Sequence, residues 1–274
     1  MPKQCTVSDV YTTEGIGVHS GNVIRISVKP APVNTGIVFI RDDIGEKISV
    51  SAKYTVGSPM CTMLRNENGA EIKTVEHLLA SLYALGITNA FIHVTNDEIP
   101  IFDGSALNIL DFIKGTKAQP EDRKKIVISE EISVSDGEKR VKLVPCAEGL
   151  VIDVTCDFEQ KGLGTTNYVY KHSLDAFKKE IAFSRTFGFY EDAAAIKKLG
   201  LARGASLDNT VIFKDGKCIN NGGLRSPTEY VTHKILDVIG DLSVSGYDIY
   251  GKFYGICPGH TINGMLIKKL LGIL

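Results

Sequence analysis

The chain has 274 residues, with 31 basic and 32 acidic side chains, a formal charge of −1, 43% apolar residues and 23% charged ones. That length allows one large or two small globular domains, each with a real core. Near-neutral charge excludes a generally basic nucleic-acid binder, and no apolar run approaches the ~20 residues of a membrane-spanning helix.

The opening MPKQCT lacks the apolar core of a signal peptide, so a cytoplasmic protein is expected. Val23–Val28 alternates apolar and polar residues and reads as a half-buried strand. Gly36–Ile40 reads as a more continuously apolar strand, with turn chemistry between the two. A helix is expected from about Thr74 to Leu85, because Val75, Leu78, Leu79, Leu82 and Tyr83 recur at helical spacing. Thr74 would cap it and Gly86 would end it. Ala90–Val94 resumes as a strand. Gly115–Lys125 is polar and aperiodic and makes the best boundary, giving domains at 1–118 and 126–274.

Beyond the boundary the pattern restarts. Ile126–Ile128, Val141–Val144 and Leu150–Val154 read as strands, with a hairpin turn at Ser135–Gly137. Helices are expected at Ser173–Ala182, at Glu191–Leu199 before Gly200, and from about Val231 to Ser243. Strand Tyr247–Ile256 and a short terminal helix follow. The spacing His77…Gly86 matches Asp237…Gly246, a faint sign of duplication. The fold class is α+β, in two domains of similar size.

The six cysteines (Cys5, Cys61, Cys146, Cys156, Cys218 and Cys257) stand singly, without the pairs of a zinc ribbon or the density of a disulfide framework. The chemistry falls to histidines and carboxylates. On a helix, His233, Asp237 and Asp241 form one stripe with Gly240, opposite Val231, Ile235, Val238, Ile239 and Leu242. An imidazole and a carboxylate one turn apart can share a metal ion, although the same spacing serves a solvated helix face. His77 on the other helix would complete three ligands, with Glu76 beside it as a general base. The alternative is that Glu76 merely favours a helix N-terminus and His77 is a surface residue. His260 follows Gly259 after the last strand, where glycine permits an unusual backbone. His19 in GIGVHSG lies in a structural turn, and His93 and His172 have no chemical neighbours in sequence.

GIGVHSG, PAPVNTG, MCTML, KTVEHLLASL, NDEIPIFDGS, SRTFGF, GLARGASLDN, HKILDVIGDL and GHTIN occur in this order along essentially the whole chain. Together they closely resemble the UDP-3-O-acyl-N-acetylglucosamine deacetylases of lipid A biosynthesis. The resemblance implies two domains, each a β-α-α-β sandwich, with the site in the cleft between them. It implies a zinc ion on His77, His233 and Asp237, for which iron(II) is an alternative in cells. Glu76 would be the general base on the metal-bound water. His260, oriented by Asp241, and Thr186 would steady the oxyanion, and His260 would aid the leaving amine.

Phe158 would stack on uracil and Lys234 would lie near the diphosphate. An insert at about 187–213, with Phe187, Phe189, Ala193, Ala194, Ile196, Leu199 and Leu201, would line a passage for the acyl chain, Gly200 and Gly204 giving loop freedom. The expected partner is a small molecule, an acylated UDP-amino sugar, with no nucleic acid and no obligate protein partner. Four positions depart from the family pattern: Thr232 replaces a common arginine, Cys257 an often basic residue, Pro258 a small one, and Ser184 the alanine of ARTF. A catalytically silent UDP- or acyl-binding module, and a metal amidase acting on another nucleotide sugar, are the alternatives.

Overall fold

The computed structural model describes residues 2–58 and 60–273. Its helices are α1 (Glu76–Ala84), α2 (Leu107–Phe112), α3 (Leu174–Ala176), α4 (Ala193–Lys198), α5 (Glu229–Ser243) and α6 (His260–Leu270). None among the described residues is long and apolar enough to cross a membrane.

Two sheets of matching topology organise this α+β fold. In the first half, the strand order is Tyr11–Ile16, Val23–Pro30, Ala90–Val94, Ile37–Arg41, Glu46–Ser49. The central strand arrives last, after α1, and runs antiparallel to Val23–Pro30 but parallel to Ile37–Arg41. In the second half the order is Ile132–Asp136, Lys139–Val144, Asp248–Ile256, Leu150–Phe158, Gly164–Lys171. Again the central strand arrives last, after α5, antiparallel to one neighbour and parallel to the other. The duplication hinted at by one matched spacing is therefore visible in the strand order. Gly86 (φ 73°) and Gly246 (φ 75°) both take the left-handed conformation between helix and central strand.

Alternation in the strands carries the core. Ile24, Ile26 and Val28 are fully buried on one side of their strand, and Ile249 and Phe253 do the same in the second half. Helix α5 lies on strands Leu150–Phe158 and Gly164–Lys171, and α1 packs against α5. The two helix layers thus meet each other.

Several expectations need correction. Thr116–Asp122 lies within the expected linker, yet it is a strand paired with Lys3–Val7. It is exposed on both faces, so no apolar alternation marks it in the sequence. Thr74 does not cap α1: its φ is 58°, and its hydroxyl points to Glu98 at 3.3 Å. Ser173–Ala182 is a short α-turn continued as a π-turn over Phe177–Ile181. Helix α5 begins at Glu229, because that fully buried carboxylate is held by Arg185 Nε at 2.7 Å and by the Arg225 N–H at 2.6 Å.

Candidate active site

The polar stripe of α5 does not face solvent. Its apolar side covers the sheet, which leaves His233, Asp237 and Asp241 facing α1, where each is at most 3% exposed. Close approach is permitted by Gly240: a Cβ there would overlap the Glu76 carbonyl oxygen and lie 2.8 Å from its carbon and from Glu76 Cα. Glu76 and His77 are therefore carried on the facing backbone straight into the stripe.

His233 Nε2 lies 3.4 Å and His77 Nε2 3.8 Å from Asp237 Oδ1, and the two imidazoles stand edge to face at 5.0 Å. One donor atom from each of the three lies within 4.8 Å of the others. Donors around a tetrahedral zinc ion stand about 3.4 Å apart, so the set fits a single divalent cation. Outer contacts orient one imidazole of the two: His233 Nδ1 donates to the Ser184 carbonyl at 3.2 Å, which leaves Nε2 with a free lone pair toward the site, whereas His77 Nδ1 is buried without a hydrogen-bond partner.

Protonation states also fit. Burial drives His77 down to about 3, with His233 adding to the shift, and burial lowers His233 as well. Both imidazoles are thus neutral at pH 7, the state in which a ring nitrogen can bind a metal ion. Burial works against ionisation of Asp237, but His233, Lys234, His260 and His77 outweigh it and hold the carboxylate below its ordinary range. Of these groups Lys234 is hydrogen-bonded to the carboxylate, its Nζ 2.9 Å from Oδ2.

Across the site, burial raises Glu76 to about 7. Burial alone would lower His260, yet Asp241 and Glu76 raise it to about 9. Its Nε2 lies 3.9 Å from Glu76 Oε1, and its Nδ1 lies 3.2 Å from both oxygens of Asp241. A carboxylate near neutrality faces an imidazolium, the pairing that general base and general acid require.

Gly259 is not the strained residue before His260. Its φ of −159° is ordinary extended backbone, and Cys257 (φ 47°) takes the left-handed turn instead. Nor does His260 hang from a strand end, since it is the first residue of α6. Ser184 and Thr232, two of the positions singled out in the sequence, meet each other: their hydroxyls, both buried, lie 2.7 Å apart. Together they pack the segment whose carbonyl orients His233. Thr186 follows two residues later, its N–H bonded to Gly104 O at 2.7 Å.

Phe187 connects the site to the insert. Its ring stands 6.0 Å from that of His233, and Lys234 Nζ lies 5.4 Å above it. Phe158 packs edge-on against Phe187 at 5.7 Å and against Phe189 at 5.4 Å. Farther out, Ala193, Ile196 and Leu201 are half-buried, Ala194 is exposed, and Leu199 is 74% exposed. Gly204 does not serve loop freedom. It permits close docking, because its N–H bonds Val18 O at 3.0 Å and a Cβ there would lie 2.7 Å from Ile16 Cγ2. Gly200 (φ 77°) is the one that needs the glycine backbone.

His19 lies in a turn as expected, and that turn wraps a buried carboxylate: the N–H groups of His19 and Ser20 reach Glu98 at 2.7 and 2.8 Å. His93 pairs with Asp42 at 2.7 Å, and His172 lies against Tyr170 Oη at 3.1 Å. Thr62, Glu98 and Asn263 are the residues around the site that sequence reasoning passed over. Each lies in one of the stretches that carry the resemblance, MCTML, NDEIPIFDGS and GHTIN, but as a common polar residue without periodic spacing it shows no role of its own in the sequence.

The family model for LpxC, UDP-3-O-acyl N-acetylglycosamine deacetylase, matches residues 4–272. The chain belongs to the LpxC family. Its relatives named UDP-3-O-acyl-N-acetylglucosamine deacetylase include one from Shewanella violacea, 42% identical over 98% of this chain and 89% of the relative. Another, from Pasteurella multocida, is 39% identical over 99% and 90%. A third, from Idiomarina loihiensis, is 38% identical over 99% and 90%. LpxC proteins are metal-dependent hydrolases acting on an amide, and the buried His77, His233 and Asp237 could hold a metal ion.

Proposed function

We propose that this chain hydrolyses the N-acetyl group of UDP-3-O-acyl-N-acetylglucosamine, giving acetate and UDP-3-O-acyl-glucosamine, an early committed step of lipid A biosynthesis. The observation that carries the reading is the convergence of His77, His233 and Asp237 beside Glu76 and His260, in a chain matched to the family over residues 4–272. His77, His233 and Asp237 hold zinc, although iron(II) suits the same donors. A divalent cation there supplies Lewis acidity, polarising an amide carbonyl and acidifying water.

The protein's own residues do the rest. Glu76 Oε2 is held by the Thr62 N–H at 2.9 Å, which leaves Oε1 to take the proton of the attacking water. His260, kept protonated and oriented by Asp241, steadies the oxyanion and returns a proton to the leaving nitrogen. Thr186 adds a hydroxyl donor to the oxyanion, a contact worth roughly 3 kcal/mol in such sites. Phe158 offers its ring to uracil and Lys234 its charge to the diphosphate. Phe187, Phe189, Ala193, Leu201 and Gly204 border the acyl chain. We assign residues 1–122 and 125–274 to the two domains, because the expected end at 118 would cut the strand Thr116–Asp122 that pairs with Lys3–Val7, and the chain changes sheet between Asp122 and Lys125. A cytoplasmic location agrees with six unpaired cysteines.

Metal analysis joined to an acetate-release assay tests this. Wild type is expected to hold one zinc ion per chain and to release acetate from the acylated UDP-sugar, while His77→Ala loses the metal and the activity together. UDP binding by wild type without acetate release would favour a silent binding module. A second test is the pH profile. Glu76 must be ionised and His260 protonated, so kcat/KM should rise as pH passes the first and fall as it passes the second. A cation at the triad lowers both, which places the rising limb at or below about 7 and the falling limb at or below about 9. A profile flat from about pH 6 to about pH 10 contradicts the assignment.

A further inference from the structure

We infer that Thr62 is a positioning residue: its backbone N–H aims Glu76 and its hydroxyl oxygen holds the ring of His260 by its Nδ1–H. The inference rests on the deacetylase reading and names a residue that reading does not require.

Thr62 lies on the segment before strand Met63–Arg65 in the first half and is only 6% exposed. It makes three contacts, with Glu76, with His260 and with the Asp241 carboxylate that orients His260. Its N–H donates to Glu76 Oε2 at 2.9 Å. Its hydroxyl donates to Asp241 Oδ1, and the same oxygen lies 3.1 Å from His260 Nδ1. An ionised carboxylate only accepts, so the hydroxyl hydrogen is committed to Asp241. The Thr62 oxygen then meets Nδ1 as an acceptor, and Nδ1 must carry a hydrogen. Asn263 Nδ2 holds the other oxygen of Asp241 at 2.7 Å, so Asp241 cannot swing to release that arrangement.

The consequence is geometric. With Nδ1–H fixed between Thr62 and Asp241, the opposite nitrogen of His260 is the one presented to Glu76 Oε1 at 3.9 Å and Asp237 Oδ2 at 4.0 Å. One residue therefore orients the base through its main chain and the acid through its side chain. The acid sits on the second half of the chain and the base on the first, so Thr62 also ties the two halves at the point of chemistry. Valine has the same shape as threonine but neither donates nor accepts. Serine keeps the hydroxyl and loses only a methyl group.

The experiment compares wild type, Thr62→Val and Thr62→Ser as metal-loaded full-length proteins, measuring kcat, KM, metal content and the ¹⁵N NMR signals of the His260 ring. Thr62→Val should lower kcat about 10- to 100-fold with KM and metal content close to wild type, while Thr62→Ser stays within about threefold of wild type. The protected His260 Nδ1–H signal should persist in wild type and Thr62→Ser and exchange faster with solvent in Thr62→Val, where Asp241 alone holds it. A Thr62→Val enzyme with wild-type kcat, a Thr62→Ser enzyme as slow as Thr62→Val, or an Nδ1–H signal unchanged in Thr62→Val each overturns the inference. A wild type that releases no acetate sinks the deacetylase reading instead. The Nδ1–H comparison still decides the role of Thr62 in that case.

Discussion

Glu76→Gln should lower kcat by about 10²- to 10⁴-fold while zinc content and KM stay near wild type. Glutamine has the size of glutamate and keeps an oxygen for the Thr62 N–H that now holds Oε2 at 2.9 Å, so the variant preserves position and removes only basicity. The carboxylate is 3% exposed and poised near neutrality by burial, the state in which a carboxylate exchanges a proton with water most readily near pH 7. Glu76 is not among the three proposed ligands, so metal content separates a lost base from a lost site. Turnover by Glu76→Gln within threefold of wild type would remove Glu76 from the chemistry.

The second large effect is expected from a residue with no chemistry. Gly240→Ala should destabilise the protein by about 3 kcal/mol and cut turnover by about 100-fold. The new methyl group would overlap main-chain atoms of Glu76, and neither helix can yield by moving a side chain. Helix α1 would have to back away from α5. That shift separates His77 from His233 and Asp237 and moves Glu76 away from His260 in the same step. Urea denaturation and a zinc titration on the purified variant check both halves of this expectation. A midpoint and metal affinity equal to wild type would mean that the helix crossing is looser than the contact at Gly240 indicates.

Much of the site could be read from the chain. His233, Asp237 and Asp241 recur at four-residue intervals opposite an apolar face, which puts them on one line of any helix. The strand at Val23–Pro30 is legible for the same reason, because one of its faces is buried. Thr116–Asp122 is not legible, because neither of its faces is buried.

Local periodicity ties residues only a few positions apart, and that sets its reach. It places Glu76 and His77 together on one helix and His233 and Asp237 together on another. It cannot bring the helices within contact, turn the polar stripe inward, or tell a bridging glycine from an incidental one. Those were decided by two sheets of like topology, each covering the apolar face of its own helix, so that the remaining faces had only one another to bury. Thr62, 179 positions from Asp241 and 198 from His260 along the chain, enters the site only through that packing.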